Sequence, residues 1–206
     1  MGVVALVMAG GKAVRMGNVG EKPLLRVCGK TMVERVIETL RGAKNINEII
    51  VATSKATPRT AELMRNLSIK VVETPGKGYC SDMRHTIKKC VLFSPVLTIS
   101  ADLPLTTKEL IDEIIAHYKH CGKPALAVAV PVEAYERLGL KSEHSFEAGG
   151  KRLAPVGINI VDGRHIDESR IAEEVLVLKK AEPVMNVNTL SDLKIAEKLL
   201  AQETNR

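Results

Sequence analysis

The chain has 206 residues, of which 45% are hydrophobic and 26% charged, enough to bury about 70% of the unfolded surface without covalent staples. Aromatic residues make up only 2%, with no Trp, so the core must be aliphatic and few rings are available to stack bases, which argues against a single-strand nucleic-acid binder. Lys plus Arg number 30 against 24 acidic residues, a net charge of +6; the excess is spread without blocks of like charge, favouring a small anionic ligand over nucleic acid.

Val3 to Met8 is a continuous apolar run, the pattern of a strand buried on both faces. It is too short for a secretory signal, and no stretch approaches the ~20 apolar residues of a membrane span. Cys28, Cys80, Cys90 and Cys121 form no C-x-x-C pair; reduced thiols and a cytoplasmic location are expected. A Gly- and Lys-rich loop runs from Ala9 to about Arg26. Met32, Val33, Val36, Ile37 and Leu40 keep helical spacing, with Thr31 as N-cap and Gly42 near the stop. Glu48 to Thr53 reads as a second strand. Thr57-Pro58 opens a helix with Thr at N-cap and Pro at N1. Ile69 to Val72 is a third strand, and the loop Thr74-Pro75-Gly76-Lys77-Gly78 leads to a helix over 81–91.

Val96 to Ser100 is a fourth strand. Thr106 or Thr107 caps a helix with Leu110, Ile111, Ile114 and Ile115 inside and Gly122 at its end. Ala125 to Val130 and Val156 to Val161 read as strands, with 132–154 irregular apart from one short helix. Arg170 to Leu178 reads as a helix and Val184 to Val187 as extended. Thr189 or Ser191 caps a last helix with Leu193, Ala196, Leu199 and Leu200 on its apolar face. The order predicts an α/β fold, one domain over 1–206, with a mostly parallel central sheet and helices on both faces. Right-handed crossovers then bring the loops after strands one and four to one rim.

The most specific pattern is Met8-Ala9-Gly10-Gly11-Lys12-Ala13-Val14-Arg15-Met16-Gly17, followed by Lys22-Pro23-Leu24. The two glycines let backbone N–H groups approach a phosphate. Lys12, Arg15 and Lys22 supply the cations that a triphosphate needs. Gly29-Lys30-Thr31 resembles the end of a P-loop, but Pro23 and Leu24 stand where its strand and first Gly belong. Gly76-Lys77-Gly78 resembles a dinucleotide fingerprint that fails at Ser81.

Asp102-Leu103-Pro104, at the end of the fourth strand, places a carboxylate across the rim from the first loop, suited to Mg²⁺ held by one carboxylate and phosphate oxygens. The competing reading is a turn-forming Asp. Asn186-Val187-Asn188-Thr189 feeds the last helix: Asn188 is a candidate ligand of metal or phosphate, and Asp192 a stabiliser of the helix N-terminus. Gly157 permits either close approach of a ligand or a β-bulge. His117, His120 and Cys121 lie in the last turn of a helix, where cations suit the dipole better than they suggest a metal site.

Met8-Ala9-Gly10-Gly11 through Arg15-Met16-Gly17, with Lys22-Pro23-Leu24, resembles the signature of the MobA-like NTP transferases. Asp102-Leu103-Pro104 resembles that family's metal-binding motif, and Asn186-Val187-Asn188-Thr189 its late Asn-containing motif, so the likeness spans nearly the whole chain. It implies a Rossmann-like nucleotidyltransferase fold and Mg²⁺-dependent transfer of a nucleoside monophosphate. Within the family, Thr74 to Tyr79 and Pro155 to Val161 look most like the archaeal branch that joins GTP to adenosylcobinamide phosphate. The segment Asn18 to Glu21 is longer than in many relatives.

The resemblance implies nucleotide contacts at Ala9, Gly10, Gly11, Lys12, Arg15, Lys22, Thr74, Gly76, Gly78, Gly157 and Asn188. It implies metal contacts at Asp102 and Asn188, and catalysis by Lys12, Arg15 and Asp102. The expected partners are GTP and a phosphorylated small-molecule acceptor, with neither nucleic acid nor membrane; a homodimer is a further expectation. The competing readings are a molybdenum-cofactor or sugar-phosphate nucleotidyltransferase of the same fold, or a non-catalytic nucleotide-binding regulator.

Overall fold

The computed structural model describes residues 2–11, 20–142 and 144–204. Its core is an eight-stranded sheet in the order β10-β7-β9-β6-β1-β4-β5, with β8 paired to β9. The strands are β1 (Val3–Met8), β4 (Ile46–Ser54), β5 (Lys70–Thr74), β6 (Pro95–Ser100), β7 (Ala125–Pro131), β8 (Phe146–Ala148), β9 (Lys151–Asp162) and β10 (Glu173–Val177). A separate hairpin joins β2 (Arg26–Val27) and β3 (Lys30–Thr31). The helices are α1 (Met32–Gly42), α2 (Pro58–Asn66), α3 (Tyr79–Lys89), α4 (Lys108–Cys121), α5 (Val132–Arg137) and α6 (Leu190–Thr204).

Strands β5, β4, β1 and β6 run parallel, β9 is antiparallel to both β6 and β7, and β10 runs parallel to β7. Alternation along β1 sends Val3, Ala5 and Val7 into a core shared with α1, α4 and α6, while Leu6 enters a second core with Ile87 of α3. Helices therefore cover both faces, as the buried apolar runs require. Met8 stands opposite Ala52 on one side and Ser100 on the other. The chain direction of assembly reverses between β1 and β6, which makes their carboxyl ends a switch point.

Local chemistry explains most of the helices. Thr31 forms a capping box with Glu34 at the start of α1, and Thr107 caps α4, both by the reciprocal or single side-chain bond that helix N-termini favour. At α2 the cap comes from elsewhere. Thr57 Oγ1 accepts from the Ser54 N–H at 3.0 Å, and the free N–H groups of Arg59 and Thr60 donate instead to Glu21, at 2.7 and 2.6 Å.

Three expectations are corrected. Residues 170–178 contain no helix: Glu173 to Val177 is a strand, because pairing with β7 overrides the helical propensity of Glu and Leu. Within 132–154 the short helix is present as α5, but the rest is not all irregular: β8 and the start of β9 form there. Val184 closes a 3-10 turn, Glu182–Val184, so the extended piece expected over Val184 to Val187 starts at Met185 instead. Gly29-Lys30 belongs to the β2–β3 hairpin, as rejection of the P-loop reading requires.

Candidate functional site

Ala9 leaves β1 with its N–H bonded to the Ala52 carbonyl at 2.8 Å, and Ala101 leaves β6 with its N–H on the Met8 carbonyl at 3.1 Å. Gly10-Gly11 and Asp102 therefore emerge side by side. Two clefts open on this rim. One, of about 520 Å³, is lined by Met8, Gly10, Gly11, Ser54, Gly76 and Tyr79 among others. The other, of about 860 Å³, is lined by Tyr135, Leu140, Pro155, Gly157, Asn186 and Asn188 among others. Tyr79 and Ser100 line both.

The lining of the smaller cleft includes four glycines, Gly10, Gly11, Gly76 and Gly78. Ser54 Oγ donates to the Gly10 carbonyl at 2.7 Å, which fixes the start of the loop against the end of β4. Gly76 has φ +70, and a Cβ there would lie 3.4 Å from Ser54 Cβ. The Asp82 carboxylate, buried in the first turns of α3, accepts from the N–H groups of Gly76 and Lys77 at 3.0 and 3.2 Å. Sequence reasoning missed Asp82, whose role is visible only once α3 folds back on the loop before it. Ala9 and Thr74 line neither cleft: the Thr74 hydroxyl donates to the Thr53 carbonyl at 2.8 Å. Lys12 and Arg15 lie outside the described residues.

Two residues beyond Ser100 a polar knot forms around Asp102. Lys22 Nζ forms a close ion pair with Asp102 Oδ2 and donates to Asn188 Oδ1 at 2.7 Å. Asn186 Nδ2 donates to Asp102 Oδ1 at 2.8 Å, and the Asp102 carbonyl accepts the Val187 N–H at 3.0 Å. Extended alternation puts Met185 and Val187 in the core and turns Asn186 and Asn188 toward the carboxylate. The Asp192 carboxylate caps α6 by accepting the N–H groups of Asn188 and Thr189 at 2.8 and 2.9 Å, as expected for a residue at that terminus. Lys22 is itself placed from behind, by buried Pro23 and by Glu21 on α2. The segment before Lys22 thus ends in a mooring that no local motif announces.

Gly157 sits in a β9 bulge, where the pairing with β7 shifts between Ala127 and Ala129. Its φ is +74, and a Cβ would lie 3.2 Å from Ser100 Cβ and 3.5 Å from Asn186 Nδ2. The bulge reading of this residue therefore holds, and the groups that approach its backbone here are the Ser100 and Asn186 side chains. Gly157 and Asn188 line the larger cleft rather than the smaller.

Tyr79 forms the partition. Its hydroxyl donates to Thr98 Oγ1 at 3.1 Å, and burial pushes the phenol up to about 12, partly offset by the hydrogen bond to Thr98. It is therefore a neutral donor at physiological pH.

The oxygens of Asp102 and Asn188 converge on one positive centre, the Lys22 ammonium. Hard oxygen donors so arranged fit a small divalent cation that takes its remaining ligands from water and phosphate. Among the described residues no group of three or more His, Cys, Asp or Glu is placed to hold a metal. No helix among them is long and apolar enough to cross a membrane.

Comparison with known proteins gives a consistent result. Residues 5–199 match the MobA-like NTP transferase domain. The chain is 37% identical over 210 residues to the adenosylcobinamide-phosphate guanylyltransferase of Methanocaldococcus jannaschii, covering 97% of this chain and 98% of that protein. It is 30% identical to a probable molybdenum cofactor guanylyltransferase of Thermococcus sibiricus, covering 93% and 96% of the two chains. The fold superposes on CMP:2-keto-3-deoxy-manno-octonic acid synthetase complexed with CTP, with a TM-score of 0.75 at 16% identity, over 98% of this chain and 100% of that one.

Proposed function

Because the chain belongs to the MobA-like NTP transferase family, we propose that it transfers GMP from GTP to adenosylcobinamide phosphate, giving the GDP-linked corrinoid and pyrophosphate. The observation that carries this reading is the meeting of two clefts at Tyr79 and Ser100, beside Asp102. A donor and an acceptor bound on either side would have their phosphates adjacent, and positioning of that kind lowers the barrier most when little covalent chemistry is asked of the protein.

The small cleft is the nucleotide's. Gly10 and Gly11 offer backbone groups to the phosphates, and the Gly76–Gly78 loop, held by Asp82, offers them to the base. Lys12 and Arg15 follow in the sequence and would balance the charge of the departing pyrophosphate. The large cleft, with Tyr135, Leu140 and Pro155 beside Asn186 and Asn188, suits a bulky ring system that carries a phosphate. The acceptor phosphate attacks the α-phosphorus in line; the new P–O bond forms as the bond to pyrophosphate breaks. A phosphomonoester with a second pKa near ~6 is already mostly dianionic at neutral pH, so no general base is needed. Asp102 and Asn188 would hold Mg²⁺, which when bound supplies charge stabilisation to the phosphate oxygens.

The rival acceptor is molybdopterin, favoured by the 30% identity to probable molybdenum cofactor guanylyltransferases. Incubating the protein with Mg²⁺ and GTP against each acceptor in turn, and assaying pyrophosphate and product mass, tests the reading. The GDP-linked corrinoid is the expected product. Turnover with molybdopterin alone, or pyrophosphate release with neither, would overturn it.

A further inference from the structure

We propose that the imidazole of His144 is an axial ligand to the cobalt of the acceptor while the acceptor lies in the larger cleft. The inference rests on the corrinoid reading above and deepens it, by naming the group that recognises the macrocycle. It starts from the segment between α5 and β8, which is tied at both ends. The Leu140 N–H donates to the Tyr135 carbonyl at 3.1 Å, and Leu140 is buried. At the far end Phe146 pairs with Leu153 of β9. Tyr135 is anchored in turn by its hydroxyl, which donates to the Val184 carbonyl at 3.0 Å. Within this span Ser142 Oγ donates to the His144 carbonyl at 2.6 Å. The backbone of His144 is thereby held, while its side chain is exposed and lines the larger cleft.

Of the five histidines in the chain, His144 alone lines either cleft. Two others are engaged locally: His165 Nδ1 lies 2.6 Å from Glu168 Oε1, and His120 Nδ1 lies 2.7 Å from the Ala116 carbonyl. No hydrogen bond or ion pair engages the His144 imidazole among the described residues, so a ring nitrogen is open to a ligand from outside. Neutral imidazole is the commonest side-chain ligand of metals. The neighbouring wall is made by Tyr135, Leu140 and Pro155, which give a flat macrocycle apolar contact but offer nothing to the metal at its centre.

The acceptor has a place for such a ligand. The corrin nitrogens fill the equatorial positions of cobalt, and the adenosyl carbon takes one axial position. A cobinamide carries no tethered base, so water holds the other. The imidazole lone pair forms the new Co–N bond as the Co–O bond to water breaks. Cobalt keeps its oxidation state and no proton moves. The bond is directional and fixes the ring relative to the rim where its phosphate must react. Cys80 is also exposed and lines the same cleft, but a thiol binds metal as thiolate and must first lose its proton. A pterin has no central metal, so the same contact separates the two acceptors considered above.

Visible absorption of adenosylcobinamide phosphate tests the proposal, recorded with excess protein, Mg²⁺ and an α,β-methylene GTP analogue that cannot turn over. Exchange of axial water for imidazole changes the ligand field, so the band should shift with the wild type and with Cys80→Ser, and stay in place with His144→Ala. Electron paramagnetic resonance of bound cob(II)inamide phosphate reads the ligand directly. One coupled nitrogen gives a triplet with ordinary protein and a doublet after ¹⁵N-histidine labelling, and His144→Ala should lose both. That variant should raise KM for the acceptor about tenfold, with kcat and KM for GTP nearly unchanged. A bound acceptor with no shift and no nitrogen coupling would overturn the proposal, as would a shift that survives His144→Ala or vanishes in Cys80→Ser. Turnover of the acceptor without the shift sinks the ligation and leaves the transferase reading standing. A protein that neither binds nor turns over this acceptor sinks the corrinoid reading itself, and the ligation with it.

Discussion

The two clefts differ in what they are made of. The smaller is walled by the carboxyl ends of β1 and β4 and by the loop before α3, and Gly10, Gly11, Gly76 and Gly78 are in its lining. The larger is built by β9, α5 and the segment before α6, and Tyr135, Leu140, Lys141, His144 and Pro155 are in its lining. Glycine presents bare backbone, whose N–H groups are the same in every sequence, so such a wall suits a feature common to many substrates, a nucleotide's phosphates. A wall of larger side chains is free to vary with the acceptor. Relatives acting on different acceptors at 37% and 30% identity to this chain fit that division of labour.

The comparison can be broken most forcefully two residues beyond Ser100, which lines both clefts. Asp102→Ala should lower turnover by roughly 10²-fold or more, the scale of losing a charge-stabilising group, while GTP affinity in a calorimetric titration changes far less. A loss confined to GTP affinity would assign Asp102 to the nucleotide side alone. Gly157→Ala strains a left-handed backbone and presses on Ser100 and Asn186, so it should raise KM for the acceptor about tenfold with KM for GTP nearly unchanged; an equal rise in both would merge the two clefts into one functional unit.

On the other side, Asp82→Asn weakens two hydrogen bonds to the Gly76–Lys77 backbone from charge-assisted to neutral. KM for GTP should rise several-fold and that for the acceptor should not. The smallest effect belongs to the partition. Tyr79 titrates near 12 instead of about 10, so the folded state holds the proton more tightly than the unfolded chain. Its contribution to stability is complete below pH 10 and is lost as pH rises from 10 to 12. Tyr79→Phe should therefore flatten that part of the alkaline unfolding curve; an unchanged slope would remove the phenol from the account.

The same division separates what could be read in the sequence from what could not. Much of the first half was legible because its signals are local: the buried Val3–Met8 run, the Thr31 and Glu34 box and the Asp102 turn. The second half follows from pairing. Glu173 to Val177 has the composition of a helix and becomes a strand only because β7 presents an edge to it. The ordered α5–β8–β9 region likewise depends on strands distant in sequence. In the site, Gly10, Gly11, Asp102 and Asn188 were visible as motifs. Glu21 and Asp82 were not, since each acts on backbone N–H groups that only the folded chain brings within reach.

Lys22 gives Asp102 a tethered counter-ion. Only 14% of that aspartate side chain is exposed, and a carboxylate so withdrawn from water requires a positive neighbour whatever else shares the groove. The protein carries that neighbour on its own chain, so the carboxylate is paired by the fold itself. Local electroneutrality is thereby kept without any ligand, and the integrity of the rim does not wait on its guests.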